Sequence, residues 1–250
     1  MSILPIVDAT ADAARISAAA VDGYVVWTTE DGAPVLQTAI STGRPVVVHG
    51  GPAAAGAGVV GIDNRAAARA IGRLVFAGAR VPAVLSLPLT GAREAAVVAG
   101  PEPHEVSFPV TRERLLGFAE AARDVGFAWA DVLVAACSTN DAREAQTMAV
   151  ELVSRARRPD ALAAMSDELA SGALRALDAA GLQVPSQVAV TGWDGAVVSR
   201  TLGITTVAQS MREQGAACAH HVLSGTSTDF GDQWQIIERA STFPPPPSCA

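Results

Sequence analysis

Residues 158–185, RPDALAAMSDELASGALRALDAAGLQVP, followed by VAVTGWD at 188–194, decide the fold. The apolar run Ala161–Met165 is too short for a helix and reads as a strand. Residues 167–181 carry alanine and leucine at helical period, and Gly181 stands where a left-handed cap ends such a helix. Val188–Trp193 is a second apolar strand. A strand, a helix and a strand in this order form a βαβ unit, whose two strands lie parallel in one sheet.

The same rhythm runs through the rest of the chain. Further strands are predicted at Ile3–Val7, Val21–Trp27, Pro45–His49, Val59–Ile62, Val81–Leu87, Val132–Ala136 and Ile204–Val207. Helices are predicted near 9–19, 33–42, 64–78, 112–126, 140–157 and 210–224, with Gly78 and Gly126 as further caps. The pattern is α/β with mostly parallel sheet. Residues 88–108 interrupt it with prolines and charges, which predicts a crossing between two lobes. The run Pro244–Pro247 is confined to extended structure or disorder.

Composition narrows the function. The chain has 250 residues, half of them hydrophobic, 17% charged, with mean hydropathy +0.29 and a formal charge of −7. It is globular in composition, has no apolar run that spans a bilayer and shows no signal peptide, which predicts a cytoplasmic protein. The acidic balance makes a poor DNA-binding surface. All 18 basic residues are arginine. Without lysine there is no Schiff base, no pyridoxal-phosphate attachment and no Walker A loop. Cys137, Cys218 and Cys249 are widely spaced and odd in number, which fits a reducing compartment. The adjacent pair His220-His221 cannot point at one metal from one helical face. Neither a metal nor a cofactor is expected.

One motif misleads. Gly56-Ala-Gly-Val-Val-Gly61 has the dinucleotide spacing, but its last glycine falls inside a predicted strand, and Arg80 stands where an acidic residue would meet an NAD ribose. It reads as a small-residue loop entering a strand.

The ordered set of motifs is more specific. After Ser166-Asp167 and its helix come Gly181-Leu-Gln-Val-Pro185, Gly192-Trp-Asp194 and Leu202-Gly-Ile-Thr-Thr-Val-Ala-Gln209. Earlier stand Val21-Asp-Gly-Tyr-Val-Val26, Pro45-Val-Val-Val48, Gly61-Ile-Asp-Asn-Arg65 and Arg114-Leu-Leu-Gly-Phe118, and Arg239-Ala-Ser-Thr242 closes the series. This set resembles the effector-binding core of the LacI/GalR family of bacterial transcription regulators across essentially the whole chain. The resemblance implies two doubly wound parallel-sheet lobes of the periplasmic-binding-protein-like type I fold. The lobes are placed at 1–88 with 208–226, and at 89–207 with 227–250, joined by three crossings. The helix-turn-helix, the hinge and the core's first strand and helix have no counterpart before Val21.

It further implies a homodimer that binds a sugar, sugar phosphate or nucleoside between its lobes, and contacts operator DNA through the domain not present here. The fold is shared with solute-binding proteins of transporters, the alternative reading. No catalysis is implied.

Ligands of open α/β sheets sit beyond the carboxyl ends of strands. Asp194 stands there and can accept two hydroxyl hydrogen bonds, or cap the next helix. Arg114, in the first turn of a helix expected to begin near Thr111, opposes the helix dipole, and its family counterpart points into the cleft. Trp27, with Thr28 and Thr29, offers either a stacking face for a sugar ring or core packing. Ser166 ends a strand, beside Asp167, which could cap a helix. Gln209 and Met211 match cleft positions of the family, and Asn140 is either a helix start or a contact. His49 is read as a strand end, Arg112 as solvent-facing. Arg65, Arg69 and Arg73 form one solvated face, and Arg155, Arg157 and Arg158 close a helix favourably.

Overall fold

The computed structural model describes residues 9–225 and 229–243. The predicted strand Ile3–Val7, the proline tail and Cys249 lie outside these residues. The chain divides into two compact units. The smaller comprises 1–62, 107–110 and 211–232, and the larger 63–106, 111–210 and 233–250.

In the smaller unit, α1 (Ala9–Ala18), β1 (Tyr24–Trp27), α2 (Pro34–Ser41), β2 (Val46–His49) and β3 (Gly58–Val60) follow one another. The three strands are parallel in the order β1-β2-β3. Val46 and Val48 face a core with Ile16, Val35 and Leu36, whereas Val47 and Val60 pack against Ala217 and Cys218. Strand periodicity of two thus gives each sheet face its own apolar layer. Residues 56–61 are, as expected, a small-residue loop entering a strand and not a dinucleotide turn: Gly58 already belongs to β3, although Gly61, expected inside the strand, lies just past it.

The larger unit contains α3 (Asn64–Phe76), β4 (Pro82–Ser86), β5 (Ala96–Ala99), most of α4 (Pro109–Asp124), β6 (Leu133–Ala136), α5 (Ala142–Val153), β7 (Ala161–Ala164), α6 (Asp167–Ala179), β8 (Ala189–Asp194), α7 (Val197–Thr201), β9 (Thr205–Gln209) and β10 (Trp234–Ile237). Helix α8 (Met211–Ser224) belongs to the smaller unit. The seven strands run β10-β9-β8-β7-β4-β6-β5, with β9 to β6 parallel and both edge strands antiparallel. The chain leaves β4 toward β6 and leaves β7 toward β8. The order therefore reverses between these neighbours, which is where such sheets hold ligands.

The division of the chain differs from the expected one. The change of unit falls after Ile62 and not at 88, because β4 pairs with β6 and β7 and carries α3 with it. Residues 88–108 mostly stay in the larger unit and contribute β5 to its edge. Both β5 and β10 escaped the sequence reading, whereas the short helix expected after Asp194 is present as α7. Edge strands are half-exposed, so they lack the continuous apolar run that marked the buried ones.

Alanine and glycine let the helices approach closely. A Cβ at Gly172 of α6 would lie 2.3 Å from the Ala142 carbonyl oxygen and 2.7 Å from Ala145 Cβ of α5. Gly215 of α8 has nothing within 4 Å of that position. Glycine-to-alanine changes should therefore have opposite signs at the two sites in urea unfolding. Gly172→Ala should destabilise by about 1–3 kcal/mol through overpacking. Gly215→Ala should stabilise by roughly 0.5–1 kcal/mol through helix propensity.

Candidate functional site

At the reversal point, the backbone just past β7 meets a buried cation. Arg114 is only 6% exposed. Its Nε donates to Asn64 Oδ1 at 2.9 Å, and Nη1 donates to the carbonyl oxygen of Met165. Its Cζ stands 4.0 Å from the centroid of the Trp193 ring, a cation–π contact with a fully buried indole. Burial lowers its pKa to about 10, against the opposing charge of Asp194. The guanidinium is thus charged at neutral pH, and its Nη2 has no hydrogen-bond partner among the described residues.

Asp194 ends β8 at φ +110, a conformation that L-residues rarely adopt. Its Oδ1 accepts from Gln209 Nε2 at 3.0 Å. Burial pushes its pKa up to about 6 and the charge of Asp167 adds to this, while Arg114 and Gln209 pull it down. Arg114 and Asp194 feel each other's charge without forming an ion pair. A donor and an acceptor so placed suit a ligand with adjacent hydroxyls, which both donate and accept.

Ser166 caps α6, accepting from Leu169 N at 3.0 Å, and donates to Asn140 Oδ1 at 2.6 Å. Asp194 caps no helix: Ala196 holds that position for α7. Nor does Asn140 begin α5, where Asp141 is the cap. Asp167 has an unforeseen partner, since its Oδ2 accepts from Ala196 N at 2.7 Å. Arg114 lies beyond the first turn, because α4 begins at Pro109, so the dipole argument for it lapses. The contact with Trp193 takes its place.

Five expected site residues, Arg114, Asn140, Ser166, Asp194 and Gln209, thus belong to the larger unit; Ser166 bonds Asn140 and Gln209 bonds Asp194, while Arg114 bonds Asn64 and Met165 instead. Trp27 and Met211 belong to the smaller unit. Trp27 is not core, being 64% exposed. It stacks on His49 with ring centroids 4.3 Å apart and planes 9° from parallel, and His49 Nε2 bonds Gln214 Oε1 at 2.9 Å. His49 therefore does more than end a strand. Thr28 and Thr29 use their backbone N–H groups on the carbonyls of His49 and Gly51. Met211 opens α8.

The arginine face of α3 is not merely solvated. Arg65 pairs with Glu120 and Arg69 with Asp124 of α4, at 2.7 Å for the latter, and Arg73 lies 4.0 Å from Asp124. An open groove of about 430 Å³ beside these arginines is lined by ion-paired charges and lacks the buried polar groups of the Arg114 cluster. Arg112, expected in solvent, donates to the Val106 carbonyl at 3.3 Å. Sequence reasoning missed Asn64 and Trp193 as site residues. Both sat inside quoted motifs, but nothing in the chain marks which face of β8 meets α4. Cys137 is buried with its thiol pushed up to about 12, which leaves it unreactive. Among the described residues, no three His, Cys, Asp or Glu side chains are grouped to hold a metal, and no helix is long and apolar enough to cross a membrane.

Residues 89–242 match the periplasmic binding protein-like domain family. The HTH-type transcriptional regulator Rv3575c of Mycobacterium tuberculosis is 34% identical over 204 residues, 81% of this chain and 57% of the regulator. The regulator IpsA of Corynebacterium glutamicum is 27% identical over 92% of this chain and 64% of its own length. The chain therefore spans about three fifths of these relatives. A LacI-family regulator structure from Corynebacterium glutamicum superposes with TM-score 0.84 at 24% identity, covering 95% of this chain and 71% of the other. A complex of the regulator CelR with cellobiose gives 0.71 at 26% identity, covering 93% and 69%. The chain belongs to the periplasmic binding protein-like family, as a LacI-type effector-binding core.

The raised pKa of Asp194 has a signed consequence. A carboxyl whose folded pKa exceeds its unfolded value near 3.8 contributes stability below that value and loses it as pH rises through about 6. Asp194→Asn, neutral throughout, should not show this decline. The melting temperature of the variant relative to wild type should therefore rise between pH 4 and pH 7, read by thermal denaturation at both; a constant difference would contradict the assignment.

Proposed function

We propose that this chain is the sensing core of a LacI-type transcriptional regulator that binds a small sugar-like effector. The observation that carries this reading is the Arg114–Asp194 arrangement. A buried guanidinium with one uncommitted nitrogen and a carboxylate with one uncommitted oxygen stand at the carboxyl ends of a parallel sheet, close enough to feel each other's charge without pairing. Cellobiose in the CelR complex and ribose in an Enterococcus faecium LacI-family structure support a sugar as the effector. The curated relatives support a regulator over a transport protein, since they are HTH-type regulators. In this reading the effector favours one conformation of a homodimer, in the cytoplasm, and so alters operator binding by a helix-turn-helix domain elsewhere in the whole protein. Such coupling requires the effector to bind the two conformations with different affinity. Arg114 and Asp194 act here as binding groups.

Titration calorimetry with ribose, cellobiose, a sugar phosphate and a nucleoside tests the reading. At least one should bind saturably. Asp194→Asn and Arg114→Lys should each weaken that ligand by about 10- to 100-fold, the loss of a charge-assisted hydrogen bond of roughly 1.5–3 kcal/mol. Arg114→Lys belongs in this set because a lysine keeps the charge but loses the planar fork that meets Asn64 and Met165 together. Wild-type silence toward all four, or unchanged affinity in both variants, would overturn the proposal.

A further inference from the structure

The turn that presents Asp194 is held from another element. Asp194 at φ +110 is followed by Gly195 at φ +69, so the chain leaves β8 through two consecutive residues of positive φ. Three hydrogen bonds hold this exit. Gln209 Nε2 donates to Asp194 Oδ1 at 3.0 Å, and Gly195 N donates to Thr206 Oγ1 at 3.3 Å, both partners lying on the adjacent strand β9. The third and shortest runs from Ala196 N to Asp167 Oδ2 at 2.7 Å, reaching back 29 residues to the start of α6.

Asp167 has no exposed surface, and its Oδ1 has no hydrogen-bond partner. That oxygen lies against the backbone of β8, where a Cβ on Gly192 would stand 2.3 Å from it. A buried carboxylate with an unmatched oxygen is unfavourable for stability. Helix capping does not account for it, because Ser166 already caps α6. Arg239 is the cation that acts on Asp167, and Asp194 in turn feels Arg114 and Asp167.

We infer that Asp167 is a positioning residue, which fixes the 194–196 turn through Ala196 and so aims the Asp194 carboxylate at the ligand, with Gly192 kept free of a side chain to admit it. The inference rests on the reading of Asp194 as a ligand acceptor, and its consequences for the turn are measurable without a ligand.

Three variants test it: Asp167→Asn, Asp167→Ala and Gly192→Ala. Asparagine keeps an acceptor for Ala196, alanine removes it, and Gly192→Ala displaces the carboxylate while leaving its chemistry intact. Hydrogen exchange of the Ala196 amide, read by NMR, should stay near wild type in Asp167→Asn. It should accelerate about tenfold or more in Asp167→Ala and Gly192→Ala, the loss of one buried hydrogen bond. Affinity for ribose or cellobiose, whichever the wild type binds, should follow the same order, with asparagine restoring what alanine loses. Unchanged Ala196 exchange in both Asp167→Ala and Gly192→Ala overturns the inference. So does Asp167→Asn binding sugar as weakly as Asp167→Ala. If the wild type binds neither sugar, the effector reading fails in this assay and the exchange measurement still decides the positioning. If Asp167→Ala does not fold, the contrast between Asp167→Asn and Gly192→Ala carries the same decision.

Discussion

A cation buried without an ion pair is the constraint around which the larger unit is arranged. Moving a guanidinium out of water is costly, and the charge survives at Arg114 only because several partial charges converge on it. An amide oxygen from α3, a carbonyl oxygen beyond β7 and the π face of Trp193 each supply part of the lost hydration. These groups come from α3, from the β7–α6 junction and from β8. Their convergence requires β7 and β8 to be neighbours in the sheet and α3 and α4 to cover one face of it. The close helix contact at Gly117 serves that end, since a Cβ there would lie 2.3 Å from the Arg65 carbonyl oxygen.

The other half of the site follows from the way β8 ends. A strand that simply stopped would point Asp194 along the sheet; the reversed φ at Asp194 and Gly195 turns the backbone at once. Such a turn needs outside support, because a non-glycine residue in this region is strained by about 1–3 kcal/mol. Gln209, Thr206 and Asp167 supply it. Burial of the carboxyl at this exit is the main cause of its raised pKa, to which the charge of Asp167 adds and which Arg114 and Gln209 oppose.

The legibility of the chain follows the same physics. Buried parallel strands such as Ala161–Ala164 declare themselves as short apolar runs, because both faces are covered. The edges β5 and β10 do not, since half of each is exposed. Arg114 and Asp194 were visible as ligand candidates through the ordered motifs and the rule of strand carboxyl ends. The dipole argument first offered for Arg114 failed because Pro109 starts the helix earlier than the apolar pattern suggests. Trp193 was read only as strand interior. Its role against Arg114 depends on which helix covers which face, a fact of packing and not of period. Trp27 erred the other way: its apolar character allowed a core position, yet its strand lies at the edge of the described sheet and its ring rests on His49 in the open.

Under the proposed function, the groups left uncommitted set the chemistry a ligand must bring. Arg114 Nη2 can only donate, and the ionised Asp194 Oδ2 can only accept. A hydroxyl answers either need, and two hydroxyls on adjacent carbons answer both without adding charge. A phosphate would satisfy Arg114 but would bring a second negative charge beside the Asp194 carboxylate, which repels it. A purely apolar ligand would leave both groups desolvated and unmatched, at the expense of affinity. Under the proposed function the buried cation and the supported turn would therefore work as one selector for a polar and uncharged surface, built from the same residues that hold the larger unit together.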